Sequence, residues 1–182
     1  MIFPTVENAL LTAVDLQSRL LPAMSGAASI ISRAGIMLRG AAELGLDVVV
    51  TEQYPRGLGN TLPELTACLP EKTPVVEKSC FSVFGSSDYR RILEARRREV
   101  LLFMGVEMHV CLLQSVLDAR NAGYEVIVVA DAVGSRRNTD RDLAFSAAAA
   151  AGARLLSSES VLFMLLRDAA DPHFRKISAL IK

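Results

Sequence analysis

The 182-residue chain predicts an α/β protein, a parallel sheet with helices on both faces. Three observations carry that prediction. Short apolar runs rich in valine, leucine and isoleucine recur along the chain, as expected for strands in the middle of a sheet. Longer stretches with helical spacing lie between them and are bounded by Gly, Ser, Asn or Pro. No repeat, linker or composition break divides the chain, so residues 1–182 read as a single domain large enough to bury a core without disulfides or metals.

Residues 9–15 form the first strand, an apolar run that closes on Asp15. After Pro22, helical spacing runs from about Ser25 to Leu44, and Gly45 supplies the stop. Residues 47–52 are a valine-rich second strand. Residues 53–74 carry Pro55, Gly57, Gly59, Pro63 and Pro70, which predicts a loop with one short helical turn. Connections of this length in compact domains often cover a site. Residues 74–78 are the third strand, and residues 79–86 a loop before a helix capped at Ser86 or Ser87. Residues 99–104 are the fourth strand, feeding a helix over 108–122 that Gly123 closes. Residues 124–130 are the fifth strand, and Asn138 or Thr139 caps the next helix, which ends at Gly152. A short sixth strand spans 154–156. Ser157 or Ser158 caps a helix to about Asp168, and Pro172 opens a final helical segment.

Composition excludes several function classes. Lys+Arg and Asp+Glu are both 20, so no basic field recruits nucleic acid or an anionic membrane. The run Arg96-Arg97-Arg98 stands beside Glu94 and Glu99 and reads as a solvated helix face. Cys68, Cys80 and Cys111, an odd number without paired spacing, argue against a disulfide framework and for a reducing compartment. His109 and His173 are the two histidines, and neither sits in a metal-ligand pattern, so no metal or cofactor is expected. The N-terminal residues lack the basic and apolar regions of a secretory signal, and no apolar stretch is long enough to span a bilayer. A cytoplasmic protein with a small-molecule substrate is the expectation. Apolar helices around 144–151 and 161–166, with a mean hydropathy of +0.33, predict a homo-oligomer, a dimer or larger.

Cys111 is the most informative single residue. It follows an apolar strand, Gly105 and a short turn, where a helix begins. A thiol there meets unpaired N–H groups and the positive end of the helix dipole, and both stabilise thiolate. Asp15 closes the first strand and Lys78 the third. Strand C-termini of an α/β sheet converge on one edge, so the three could meet there. The plainer alternatives are a loop cap for Asp15 and a sheet-edge lysine surfacing into solvent for Lys78. Glu77 alternates to the other face of its strand. Cys68 reads as a small packed hydrophobe, and Cys80 as a loop thiol that would become a second reactive group under redox chemistry. His109 reads as a supporting or interface histidine.

These segments resemble the isochorismatase-like cysteine hydrolases, over nearly the whole chain. The resemblance rests on Thr51-Glu52-Gln53-Tyr54-Pro55, Glu77-Lys78-Ser79-Cys80-Phe81-Ser82, Gly105-Val106-Glu107-Met108-His109-Val110-Cys111 and Val129-Ala130-Asp131-Ala132-Val133. It points to the small single-domain branch that carries an isochorismatase domain. It implies a three-layer α-β-α fold with a six-stranded parallel sheet in the Rossmann-like order 3-2-1-4-5-6. It also implies an Asp15-Lys78-Cys111 triad and a cis peptide between Val106 and Glu107, with the N–H groups of Glu107 and Cys111 forming an oxyanion hole. Gln17 either bonds within its loop or, as the resemblance implies for a nearby polar residue, helps orient the site. Tyr54, Phe81 and Phe84, in loops after strands on the same edge, either seal a small core or wall a planar or apolar substrate. Nicotinamidases of the superfamily carry an Asp-x-His-type metal site that has no counterpart here. The implied activity is hydrolysis of a C–N bond in a small amide through a Cys111 thioester. The alternatives are an inactive scaffold on a hydrolase fold, and a thiol redox sensor using Cys111 with Cys80.

Overall fold

The computed structural model describes residues 2–182, and among them six strands form one parallel sheet. These are β1 (Ala9–Val14), β2 (Asp47–Gln53), β3 (Val75–Lys78), β4 (Val100–Val106), β5 (Glu125–Gly134) and β6 (Arg154–Leu156), in the order β3-β2-β1-β4-β5-β6. With helices on both faces the architecture is the expected three-layer α/β fold. Central β1 is buried at all six positions, which is why it reads as a continuous apolar run without alternation. Its register sets Val14 beside Thr51 on one side and Gly105 on the other, so three strand ends meet at one level. Gly105 has φ +118°, and a Cβ there would lie 2.0 Å from the Val14 carbonyl oxygen. No side chain fits where β1 and β4 approach so closely.

Helix α1 (Ala27–Leu44) ends as expected at Gly45, whose φ of +71° is the left-handed stop. The 53–74 connection departs from expectation. It carries two short helices, α2 (Pro55–Leu58) and α3 (Pro63–Thr66), each with a proline in its first turn, where the missing N–H costs nothing. Buried Glu52 folds this segment back, accepting from Asn60 Nδ2 (2.9 Å), Thr61 N (2.6 Å) and Thr61 Oγ1 (2.8 Å).

Helix α4 (Ser87–Arg96) is capped by Ser86, whose hydroxyl accepts from the Tyr89 N–H. Helix α5 (Leu113–Asn121) starts later than expected, because Met108–Leu112 winds as a π-helical turn; such turns occur frequently at functional sites. Strand β5 runs on to Gly134, and its register with β4 slips between Phe103 and Gly105, which face Val128 and Val133. Asp131 lies in the slipped segment. It accepts from Ser158 N and Ser158 Oγ, both at 2.7 Å, at the start of α7 (Ser158–Leu166), while Ser157 caps through Ser160 N at 3.1 Å. Helix α6 (Asn138–Ala150) has Arg137 at its cap position with no side-chain bond, so the expected Asn138 or Thr139 cap is not made. Helix α8 (Phe174–Ile181) closes the chain.

The predicted apolar surplus is also redistributed. Val161, Leu162, Leu165 and Leu166 of α7 are buried within the chain, as are Ala144 and Ala148 of α6. What these two helices leave outside includes Leu143, 72% exposed, and Phe163, 37% exposed.

Candidate active site

The three strand ends on the C-terminal edge bring Asp15 and Lys78 together. Asp15 follows β1 with φ +54°, a left-handed conformation that a non-glycine residue holds only where its surroundings impose it. Its N–H donates to the Thr51 carbonyl (3.0 Å), and Thr51 Oγ1 donates to Asp15 Oδ1 (2.7 Å). On β3 the alternation of the pleat turns Val76 and Lys78 inward and leaves Val75 and Glu77 outside. Lys78 Nζ therefore points into the edge and donates to Asp15 Oδ2 at 2.7 Å, with both side chains fully buried. The same ammonium donates to Gln53 Oε1 (2.7 Å), the Phe81 carbonyl (3.1 Å) and the Cys80 carbonyl (3.3 Å). Three N–H donors thus face four acceptors, and the ammonium is saturated.

Cys111 lies in the π turn after β4, 6% exposed. Its thiol is pushed up to about 12, first by burial and then by the negative charge of Asp15, which together outweigh Lys78. This corrects the expectation of a thiolate at rest. The positive charge of Lys78 is already neutralised by Asp15, and the π turn puts Cys111 inside a buried edge, away from an open helix start. The Asp15 carboxyl is itself raised above its usual range by burial, despite Lys78, Thr51 and Cys111 all favouring its ionised form. The arrangement is a buried thiol held neutral close to a buried carboxyl whose basicity burial has strengthened.

The remaining candidates separate into those at the site and those that build it. The Val106–Glu107 peptide is cis. The Glu107 carboxylate turns away, accepting from Arg136 N (2.9 Å) and Arg136 Nε (3.1 Å). Gln17 is a correction: its amide donates to the carbonyls of Gln53 (3.0 Å) and Gly59 (2.6 Å) and accepts from Gln53 N (2.8 Å). Both amide protons serve backbone, so Gln17 pins the 53–61 segment and has no donor left for a substrate. Phe84 is a second correction, because its ring packs inward at 5.8 Å from Tyr89 and 6.0 Å from Tyr124. Tyr54 and Phe81 stand out, 61% and 52% exposed. Tyr54 lines a cleft of about 370 Å³ with Pro55, Arg56, Glu77, Lys78 and Ser79. His109 Nδ1 is 3.0 Å from Ser135 Oγ, a supporting position. Cys68 is more than a packed hydrophobe, since Arg39 Nη1 donates to its sulfur at 3.3 Å. Among the described residues no group of three or more His, Cys, Asp or Glu is placed to hold a metal ion, and no helix is long and apolar enough to cross a membrane.

Thr51 and Gln53 belong to a motif that carries the resemblance, but the resemblance assigns neither a role in the site; they brace Asp15 and Lys78. Their signal was positional: they end β2, the strand between the two that deliver Asp15 and Lys78. Ser115 is a third. It looks like an ordinary mid-helix serine, and one of its two partners, Val83, is 32 residues away in sequence.

Comparison with known proteins places the chain in a family. The isochorismatase domain matches residues 8–160. Isochorismatase domain-containing protein 2A of Mus musculus is 37% identical over 177 residues, covering 97% of this chain and 84% of that protein. Among solved structures, the MAR1 ribonuclease of Caenorhabditis elegans superimposes with a TM-score of 0.94 at 34% identity, covering 99% of this chain and 92% of that one. YcaC of Pseudomonas aeruginosa, solved with hexane-2,5-diol and covalent acrylamide, gives a TM-score of 0.88 at 25% identity, covering 98% and 95%. The fold, the ordered strand-end residues and these matches agree: the chain belongs to the isochorismatase-domain family of hydrolases.

Proposed function

We propose that the protein hydrolyses a C–N bond in a small amide, with Cys111 as nucleophile, Asp15 as proton carrier and Lys78 as fixed cation. The observation that carries this is the buried Asp15–Lys78 pair at 2.7 Å, set against a thiol that burial, and then the Asp15 charge, keeps neutral. Asp15 takes the Cys111 proton as sulfur attacks the carbonyl carbon, so no exposed thiolate stands idle. The C=O bond becomes an oxyanion, and the N–H groups of Glu107 and Cys111 hold it. Protonated Asp15 then gives its proton to the leaving nitrogen, the C–N bond breaks and a thioester remains. Water attacks the thioester, Asp15 takes its proton, the acid leaves, and Asp15 returns the proton to the departing sulfur. Lys78 keeps the Asp15 charge affordable inside the protein at each stage where that charge is present.

The YcaC neighbour was solved with covalent acrylamide, an electrophile that carries a carboxamide, which is in keeping with a nucleophile in a protein of this fold. Vinyl-ether hydrolysis is disfavoured because it has no use for a cysteine nucleophile. A ribonuclease, the name carried by the C. elegans neighbour, is the second reading. A formal charge of zero and a catalytic trio withdrawn from the surface weigh against an RNA track. The test is release of ammonia or amine from a panel of small amides, run beside cleavage of single-stranded RNA. Turnover of an amide that Cys111→Ala abolishes supports the proposal. RNA cleavage that survives Cys111→Ala, with no amide turned over, overturns it.

The proposal extends to setting and assembly. Three free cysteines suit a reducing cytoplasm. Leu143 stands over an apolar cleft of about 300 Å³ lined also by His109, Leu113, Ala144 and Ala147, a surface suited to a second copy of the chain.

A further inference from the structure

We infer that Ser115 is a positioning residue that ties the turn carrying Cys111 to the loop gripping Lys78, and so sets the reactivity of the thiol. Ser115 is fully buried, one turn beyond Cys111 on α5. Its hydroxyl donates to the Cys111 carbonyl at 2.6 Å, and its oxygen accepts from Val83 N at 3.0 Å. The first bond alone would be unremarkable, since serines inside helices commonly bond the carbonyl four residues back. The second bond reaches 32 residues away in sequence.

Val83 closes the segment that leaves β3. That segment presents the Cys80 and Phe81 carbonyls to the Lys78 ammonium, then Ser82 donates to Asp118 Oδ2 at 2.6 Å. Ser115 and Asp118 are three residues apart and share one face of α5. The 80–83 segment is therefore anchored twice, to the ammonium on one side and to α5 on the other. Through Ser115 the second anchor reaches the backbone of the nucleophile itself. The path runs from Lys78 Nζ to the Phe81 carbonyl, along the chain to the Val83 N–H, through Ser115 Oγ, and on to the Cys111 carbonyl.

Gln53 also holds Lys78, but from a strand inside the sheet, and its bonds stop at Ser79 and Gln17. Proton transfer from sulfur to Asp15 needs the two groups within hydrogen-bond reach, and a displacement of about 1 Å can cost on the order of a hundredfold in rate. Without Ser115 the Val83 N–H and the Cys111 carbonyl lose a shared partner in a buried place, and the turn is free to move away from Asp15. The thiol then leaves the burial and the negative charge that keep it protonated.

The inference rests on the proposed function only for its consequence in catalysis; its test does not. Iodoacetamide labelling of the intact protein at pH 8, resolved for Cys68, Cys80 and Cys111 by peptide mass spectrometry, reads the thiol directly. In Ser115→Ala, Cys111 labelling is expected to rise about tenfold or more, as its thiol relaxes toward the ordinary thiol value of about 8.5. Cys68 labelling stays unchanged, and amide turnover falls about tenfold or more. Ser115→Thr, which keeps the hydroxyl, restores Cys111 labelling to within about threefold of wild type. Asp118→Ala removes the outer anchor at an exposed position and raises Cys111 labelling by a smaller factor, about threefold. It decides the question if Ser115→Ala fails to fold. Unchanged Cys111 labelling in a folded Ser115→Ala or in Asp118→Ala, or a rise shared equally by Cys68, overturns the inference. Faster Cys111 labelling in Ser115→Ala, where the wild-type protein itself turns over no amide, supports the inference and overturns the amidase proposal instead.

Discussion

The two halves of the site are built by different means. The Asp15–Lys78 half is held by side chains from adjacent strands: Thr51 and Gln53 on β2 stand between the residues they brace, at 2.7 Å each. The Cys111 half is held by backbone, in a π turn whose carbonyl goes to Ser115 and whose neighbour Glu107 is tied to Arg136. Strands in register place charges at fixed spacing; a wound turn places a thiol at a depth, and depth decides its protonation. So the charged half is rigid and permanently paired, while the thiol half is where small movements change chemistry.

Breaking the charged half should have the largest effect on stability. Lys78→Ala leaves the Asp15 carboxyl buried without its partner, at a cost of about 3 kcal/mol by denaturant unfolding, and abolishes amide turnover. Lys78→Met, closer in volume, should recover part of the stability and none of the turnover. Phe84→Ala comes next. Because its ring packs on Tyr89 and Tyr124, about 2 to 3 kcal/mol is lost, below the cost of a fully buried phenylalanine because the ring is only half-buried. If Phe84 instead lined the substrate, stability would hold and KM would rise. Gln17→Ala orphans three backbone partners and should cost about 1 to 3 kcal/mol, with turnover falling no more than the folded fraction does. Tyr54→Ala and Phe81→Ala, both exposed, should leave stability within about 0.5 kcal/mol, and any effect should show in KM alone.

The same contrast explains what the sequence made legible. Asp15 and Lys78 could be assigned to one edge because each ends an apolar run, and parallel strands end together. The layers and strand order followed from that alternation and the resemblance it accompanies. The protonation of Cys111 was not legible, because a one-dimensional reading sees a helix start and cannot see the π turn or that Lys78 is already neutralised. Gln17 and Phe84 were misassigned for a related reason. Both follow strands on the correct edge, yet an amide that bonds three backbone groups and a ring that meets Tyr89 and Tyr124 are facts of packing between distant segments. The slipped register of β5, which sends Asp131 to cap α7, has no sequence mark either.

The pH dependence of amide turnover sharpens the picture from the acid side. Turnover needs ionised Asp15, whose carboxyl burial has raised, so the acid limb should fall at a pH above the ordinary carboxylate range. An acid limb at or below that range would place the base elsewhere.

The most direct test is the pH dependence of Cys111 alkylation in wild type and in Asp15→Asn. A thiol held neutral by burial and by Asp15 should resist iodoacetamide until well above the ordinary thiol range of about 8.5, approaching 12. Asp15→Asn removes the negative charge and leaves the Lys78 ammonium unopposed, so Cys111 should alkylate at lower pH and faster, while amide turnover is lost. Wild-type Cys111 reacting as a thiolate at pH 7, or Asp15→Asn slowing its alkylation, would contradict the account.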